Sequence, residues 1–308
     1  MDRYGLEQFS FSDILDFIIT SYEEGSITQE DVGGLPLNRG FDTALTWIEK
    51  TTFRQGFGDV VADGWEGVLN RLGNKVKAPP QLIKKREGVW DPRISGLGTN
   101  DFAQLVYPRG PNAESGGSAL YTLNQPVDAV VKHSQRMGWT KEQTDRALDP
   151  KLKINIGRLV TSSESWLAIF NSLGLCNRHV NNRFYAINIC SELYSSATGF
   201  ECDPQKLMKN AERVWNLFKM INVREGFSRK DDEPPDGWFV PIKTYDGKEL
   251  FMMDYYHTKI LSREDVDQWL GDYYDERGWD KEKGIPTEEK LKELGLENTI
   301  PDLKRAKL

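Results

Sequence analysis

Trp166-Leu167-Ala168-Ile169-Phe170-Asn171-Ser172-Leu173-Gly174-Leu175-Cys176 reads as an apolar run closed by a glycine turn. The stretch from Ile154 to Leu173 has the length and apolar content of a buried helix, and Gly174 permits the left-handed residue that ends one. Cys176 falls just past the turn. Two readings of it stand side by side: a buried structural thiol behind a helix cap, or a thiolate facing the helix terminus or a metal cluster. The pattern has a second copy at the start of the chain. Asp2-Arg3-Tyr4-Gly5-Leu6-Glu7 repeats the polar-x-x-Gly-Leu-x arrangement of Asn171 to Cys176. Two such turns can offer backbone N–H groups and a polar side chain to one ligand.

Outward from this stretch the chain keeps a helical period. Ser10 or Ser12 is placed to cap a helix through Tyr22, and Asp42 to Arg54 is amphipathic. A further helix is expected from about Asp59 to Leu72. Pro126 to Met137, Thr140 to Leu148 and Val180 to Thr198 follow. Asp203 to Val223 carries Leu207, Ala211, Val214, Trp215, Leu217, Phe218 and Ile221 on one face. Ser262 caps a helix to about Arg277, and Pro286-Thr287 opens a last one that Gly295 stops. A short hairpin around Asp246-Gly247 is the main strand signal. The fold class expected is therefore mainly α, with little β.

Length and composition agree. A chain of 308 residues holds two domains of ordinary size. Its 38% hydrophobic and 28% charged content describes a globular chain rather than a disordered one. No run approaches the ~20 apolar residues of a membrane span, and the N-terminus lacks a signal peptide's basic and apolar regions. The expected location is cytoplasmic, with no membrane partner. A net charge of −7 argues against a nucleic-acid partner, and the basic clusters Lys84-Lys85-Arg86 and Lys304-Arg305 are short enough to be solvated surface. Cys176, Cys190 and Cys202 are too few for a disulfide framework, and no CxxC occurs. His133, His179 and His257 show no metal-ligand spacing.

Two stretches are set apart by their composition. Gly88 to Tyr121 is dense in glycine and proline and poor in helical periodicity, yet Trp90, Phe102, Leu105, Val106 and Tyr107 need something to pack on. Asp91, Arg93, Arg109 and Glu114 are available there to pair with each other or to meet an anionic ligand. Asn222 to Asp232 is tightly charged and reads as a solvated helix end with surface salt bridges.

Taken together, several segments resemble the C-terminal half of the tungsten-pterin aldehyde:ferredoxin oxidoreductase family. In family order they are MDRYGLEQFS (1–10), RQGFGDVVADG (54–64), WDPRISGLG (90–98), YPRG (107–110), NSLGLC (171–176), ERVWNLFKMINVREGFSRKDD (212–232) and YYDERGWDKEKGIPTEEKLKELGL (273–296). The resemblance implies two packed helical domains, one over 1–125 that is incomplete at its N-terminus and one over 126–308. It implies a tungsten (or molybdenum) held by two pterins, beside a 4Fe-4S cluster. Pterin contacts would fall on Asp2, Gly5, Leu6 and Glu7, and on Asn171, Gly174 and Leu175. Asn171 stands where the family usually has Asp, which keeps hydrogen bonding and drops a charge. Cys176 matches the fourth cluster cysteine, so the cluster would be shared with missing or partner polypeptide.

The implied partners are an N-terminal pterin and cluster domain or subunit, a ferredoxin or iron-sulfur electron-transfer subunit, and a small-molecule substrate. Relative to the family, the N-terminal domain and the loop with the other three cluster cysteines are missing. Met1 is then either an internal methionine of a longer protein or the start of a split subunit. Members usually carry a histidine thought to move protons just after the YPRG match. This chain has Pro111-Asn112-Ala113-Glu114-Ser115-Gly116-Gly117 there, and Glu114 is the candidate for that role if burial raises its pKa. The implied function is the C-terminal part of an oxidoreductase acting on aldehydes or carboxylic acids, inactive as an isolated chain. The alternatives are an aromatic acyl-CoA reductase of the same family and a cofactor-free helical scaffold or interaction subunit.

Overall fold

The computed structural model describes residues 1–76, 81–111, 122–150, 153–177 and 184–305. Helices dominate, as expected, and strand is confined to four two-residue antiparallel hairpins among the described residues. By compactness the chain falls into two units, Met1–Glu87 and Gly88–Leu308.

The first unit holds α1 (Gln8–Glu23), α2 (Phe41–Thr52), α3 (Phe57–Ala62), α4 (Gly64–Leu72) and the hairpin of β1 (Leu82–Ile83) and β2 (Arg86–Glu87). Its core gathers Phe11, Ile14, Ile18, Trp47, Trp65 and Val68, the apolar faces of amphipathic helices turned on one another. The cap of α1 is Glu7, whose carboxylate accepts the Ser10 N–H at 2.6 Å, rather than Ser10 or Ser12. The single helix expected to Leu72 is broken in two, because Gly64 takes φ 71° and starts a new axis.

The second unit begins with α5 (Pro92–Ser95) and α6 (Thr99–Val106), continues through α7 (Val127–Arg136) and α8 (Lys141–Ala147), and crosses the hairpin of β3 (Leu148–Asp149) and β4 (Lys153–Ile154). Its axis is α9 (Ile156–Leu173). Around α9 stand α10 (Ile187–Thr198), α11 (Pro204–Arg224) and α12 (Arg263–Arg277), the last two separated by the hairpin of β5 (Ile242–Lys243) and β6 (Glu249–Leu250). The hairpin of β7 (Trp279–Asp280) and β8 (Ile285–Pro286) leads to α13 (Glu288–Glu293) and α14 (Ile300–Arg305). Most of α9 is buried all round, from Ile156 to Phe170. It packs on α6, α11 and α12, and Gly157 sits so close to α12 that a Cβ there would lie 2.0 Å from the Trp269 carbonyl oxygen.

The stretch from Gly88 that lacked helical periodicity contains α6. Thr99, Asp101, Phe102, Ala103, Gln104, Leu105 and Val106 are all buried, so this helix has no polar face to alternate with an apolar one. Compactness places α5 and α6 with α9, whereas the family-based division puts its boundary at 125/126.

Candidate functional site

The two glycine turns are built alike. Gly5 has φ 69° and ψ 21°, and Gly174 has φ 71° and ψ 23°. In the first unit Gly5 N–H donates to Asp2 O at 3.1 Å and Leu6 N–H to Met1 O at 3.4 Å. In the second, Gly174 N–H donates to Asn171 O at 3.3 Å and Leu175 N–H to Phe170 O at 2.8 Å. This is the Schellman pattern, in which the residue after the left-handed glycine reaches back five positions. Leu6 packs on the core of its unit and Leu175 is half-buried, which anchors each bend. The glycine and leucine N–H groups are thus consumed by the turn itself, not presented to a ligand. What each turn exposes is its first side chain, Asp2 or Asn171, neither of which has a side-chain partner among the described residues.

Cys176 follows its turn as an exposed residue, which removes the buried structural thiol from the two readings. The end of α9 carries the negative pole of the helix and does not favour an anion beside it. The described residues contain no group of three or more His, Cys, Asp or Glu side chains able to hold a metal ion. Cys176 can therefore give one ligand and not a complete set. Glu7 is engaged as the cap of α1. Partial burial pushes its pKa up, but hydrogen bonds from Ser10 and Phe9 outweigh that, and the net shift is downward. Glu114 lies outside the described residues. Arg93 is held by Asp91 at 2.6 Å and donates to Gly237 O, so this pair is structural. Beside α9, a hollow of about 190 Å³ lies among Ile169, Leu173, Tyr194, Leu207, Ala211 and Val214.

Sequence reasoning missed the buried charges of the second unit. Glu164, in the middle of α9, accepts from Arg277 Nη2 at 2.6 Å and Tyr273 OH at 2.9 Å, and Trp215 Nε1 donates to that same hydroxyl. Burial drives Glu164 up to about 7, while the Arg277 guanidinium and the two hydrogen bonds pull it back. At such a separation Arg277 stays cationic. Lys219 and Asp232 form a second pair at 2.9 Å, both side chains fully buried, with Tyr274 OH donating to Asp232 at 2.8 Å. The Asn222 to Asp232 segment is consequently not a solvated helix end: its last residue is tucked under α12 as the counterion of α11. A lone acid inside the small-residue run Thr161-Ser162-Ser163-Glu164-Ser165 was the available signal. Asp101 is the third such group. Burial pushes it up to about 7 against a hydrogen bond from the Gly98 N–H, so it can exchange a proton near neutral pH.

No helix among the described residues is long and apolar enough to cross a membrane. The fold agrees with the comparisons to known proteins. The chain is 26% identical over 313 residues to the tungsten-containing aldehyde ferredoxin oxidoreductase of Pyrococcus abyssi, covering 97% of this chain and 44% of the relative. It is 27% identical over 308 residues to the protein of the same description from Pyrococcus horikoshii, covering 96% and 44%. The aliphatic sulfonate oxidoreductase, WOR-like subunit, of Pyrococcus furiosus is 26% identical over 315 residues, covering 100% and 43%. The chain thus spans less than half the length of the curated relatives it matches. Among solved structures, the active site complex BamBC of benzoyl coenzyme A reductase, in complex with 1,5 dienoyl-CoA, superposes with a TM-score of 0.73 at 22% identity. That superposition covers 99% of this chain and 46% of the other, and it supports the fold. The family described as aldehyde ferredoxin oxidoreductase, domains 2 and 3, matches residues 1–296, and the chain belongs to that family.

Proposed function

We propose that this chain is the helical part of a tungstopterin, iron-sulfur oxidoreductase that interconverts aldehydes and carboxylic acids with ferredoxin-type electron transfer. The two family domains are taken to meet near residue 125. The reading rests on one observation above all: two Schellman turns of the same form, each exposing a hydrogen-bonding side chain, with an exposed cysteine directly after the second. Asp2 and Asn171 would bind the pterins, supported by the bends at Gly5-Leu6 and Gly174-Leu175, with Glu7 beside the first. Cys176 would supply one thiolate to a 4Fe-4S cluster completed by another polypeptide segment. The bound metal and cluster would supply the two-electron chemistry and its relay. This chain's part is to orient the rings through side-chain hydrogen bonds and to close one side of the cluster. Glu114 is the proposed carrier of the substrate proton.

The sulfonate oxidoreductase relative widens the substrate class to be screened, since its match is as long as those of the aldehyde enzymes. The test is cluster assembly. Co-expression of the full chain with a partner bearing a CxxCxxxC loop should give a complex that retains iron, and Cys176→Ser should lose that iron while the complex persists. A full iron complement in the Cys176→Ser complex would remove the ligand role.

A further inference from the structure

Helix α11 is turned with part of its apolar pattern outward. Trp215, Asn216 and Lys219 are buried in the second unit, whereas Val214, Leu217 and Ile221 are each nearly half exposed. The exposed three are not scattered. With heptad position a at Leu207, Val214 and Ile221, position d falls on Asn210, Leu217 and Arg224. A β-branched residue at a with leucine at d is the combination that favours a two-stranded coiled coil. The positions that face water in such a pair, b, c and f, are here Trp215, Asn216 and Lys219, the ones turned into the protein. Successive a positions, Leu207 and Val214, flank the hollow of about 190 Å³, which Ile169, Leu173 and Tyr194 help to close. A void of that order takes a group about the size of a benzene ring, the scale of one apolar knob.

The charge beside the seam decides what kind of helix fits it. Two g positions are Lys206 and Arg213, both exposed, and no acid pairs with either among the described residues. Lys206 spends one donor on the Glu201 carbonyl, which leaves its charge unbalanced. Across a two-stranded coil a g residue meets the partner's e position when the helices are parallel and its g position when they are antiparallel. A second copy of α11 would therefore set Lys206 and Arg213 against Ala211 and Phe218 in one direction, and against each other in the opposite one. Neither arrangement balances the two cations, and the second places like charges together. A helix with acids along that edge balances both.

We propose that the exposed seam of α11 is the docking site for an amphipathic helix of a partner polypeptide, apolar at a and d and acidic on the edge that meets Lys206 and Arg213. It stands whether or not the cofactor reading holds. Fluorescence anisotropy of a labelled peptide against the full chain at pH 7 tests it. The peptide has about three heptads with Ile at a, Leu at d and Glu at e and g, and its twin carries Lys at e and g. Like charges keep each peptide from pairing with itself. The acidic peptide should bind at one site per chain, at least about tenfold more tightly than the basic one. Leu217→Glu, at an exposed position, should weaken that binding by at least about tenfold with the melting temperature unchanged. Arg213→Glu should remove or reverse the preference for the acidic peptide. Equal binding of the two peptides, no binding at about 100 μM chain, or binding untouched by Leu217→Glu would each overturn the proposal. So would a chain that light scattering finds dimeric and that Leu217→Glu makes monomeric, because a second copy would then occupy the seam.

Discussion

Replacing Lys219 by Met should be among the most destabilising single changes in the second unit. Lys219 and Asp232 are both fully buried, 2.9 Å apart, and Asp232 also accepts from Tyr274. Methionine fills nearly the same volume, so packing changes little and the loss is electrostatic. Asp232 is then left as a buried carboxylate without its cation, and its cheapest escape is to take up a proton. Holding an aspartate protonated costs about 1.36 kcal/mol for each pH unit above its ordinary titration point near 3.9. The cost is about 4 kcal/mol at pH 7 and about 1.5 kcal/mol at pH 5. The first figure agrees with the ~3–5 kcal/mol lost when one member of a buried pair is removed. Urea unfolding of wild type and Lys219→Met at the two pH values measures both numbers. The double variant Lys219→Met/Asp232→Leu should recover most of the loss, since no buried charge remains. A loss below about 1 kcal/mol at pH 7, or equal losses at both pH values, would refute the argument, because it would mean that water or another cation reaches Asp232.

Two glycines, Gly157 inside α9 and Gly174 at its C-cap, should both destabilise the second unit when replaced by alanine, to very different degrees. Gly174→Ala meets open space and bears only the left-handed backbone, so it should cost about 1–2 kcal/mol in urea unfolding. Gly157→Ala drives a methyl into the Trp269 carbonyl and should leave the second unit unable to reach its native circular-dichroism signal. The third test concerns His133 of α7. Its Nε2 is buried without a partner, and burial, reinforced by Arg136, lowers its pKa to about 4 from 6.5. The folded state binds its proton more weakly than the unfolded state, so this contribution to stability is present above pH 6.5 and is lost as pH falls towards 4. The shift sets a ceiling of about 3 kcal/mol, lessened where the ring meets water. Subtracting the pH profile of His133→Asn from that of wild type should isolate a loss in that window, and a flat difference would count against a desolvated His133.

How much of the fold is legible in the sequence depends on whether burial leaves a trace in the residue pattern. Amphipathic helices such as α2 declare themselves, because one face meets water and the other does not. Helix α11 is readable as a helix but not as a face: Val214, Leu217 and Ile221 are 44%, 43% and 45% exposed, while Asn216 and Lys219 are fully buried. The caps Thr140 and Ser262 and the stop at Gly174 are readable for the same local reason: a turn's chemistry lies within a few residues. Helix α6 is hidden because it is buried on every side. The break at Gly64 is hidden because a glycine inside a helical pattern is usually tolerated. Of the candidate site, both glycine turns are legible, down to their shared form. Their N–H groups are not, since the pattern of residues does not show which carbonyl each will meet. The pairs Glu164–Arg277 and Lys219–Asp232 join residues 113 and 13 positions apart. The small-residue run around Glu164 is a local hint of burial, but nothing local distinguishes Arg277 from a surface charge or marks it as the partner. Lys219 and Asp232 have the spacing of an ordinary helix-end salt bridge until the burial of their surroundings is known.

The Schellman bends separate two tasks that one short motif joins. Main-chain bonds and a sunken leucine define the curve, so the glycine and leucine letters answer to geometry alone. The opening letter answers to whatever lies outside. An exchange of aspartate for asparagine there retunes the field felt by a bound molecule by one full charge and leaves the bend's own bonds intact. The present chain already uses that freedom, with an acidic opening letter at residue 2 and a neutral one at residue 171.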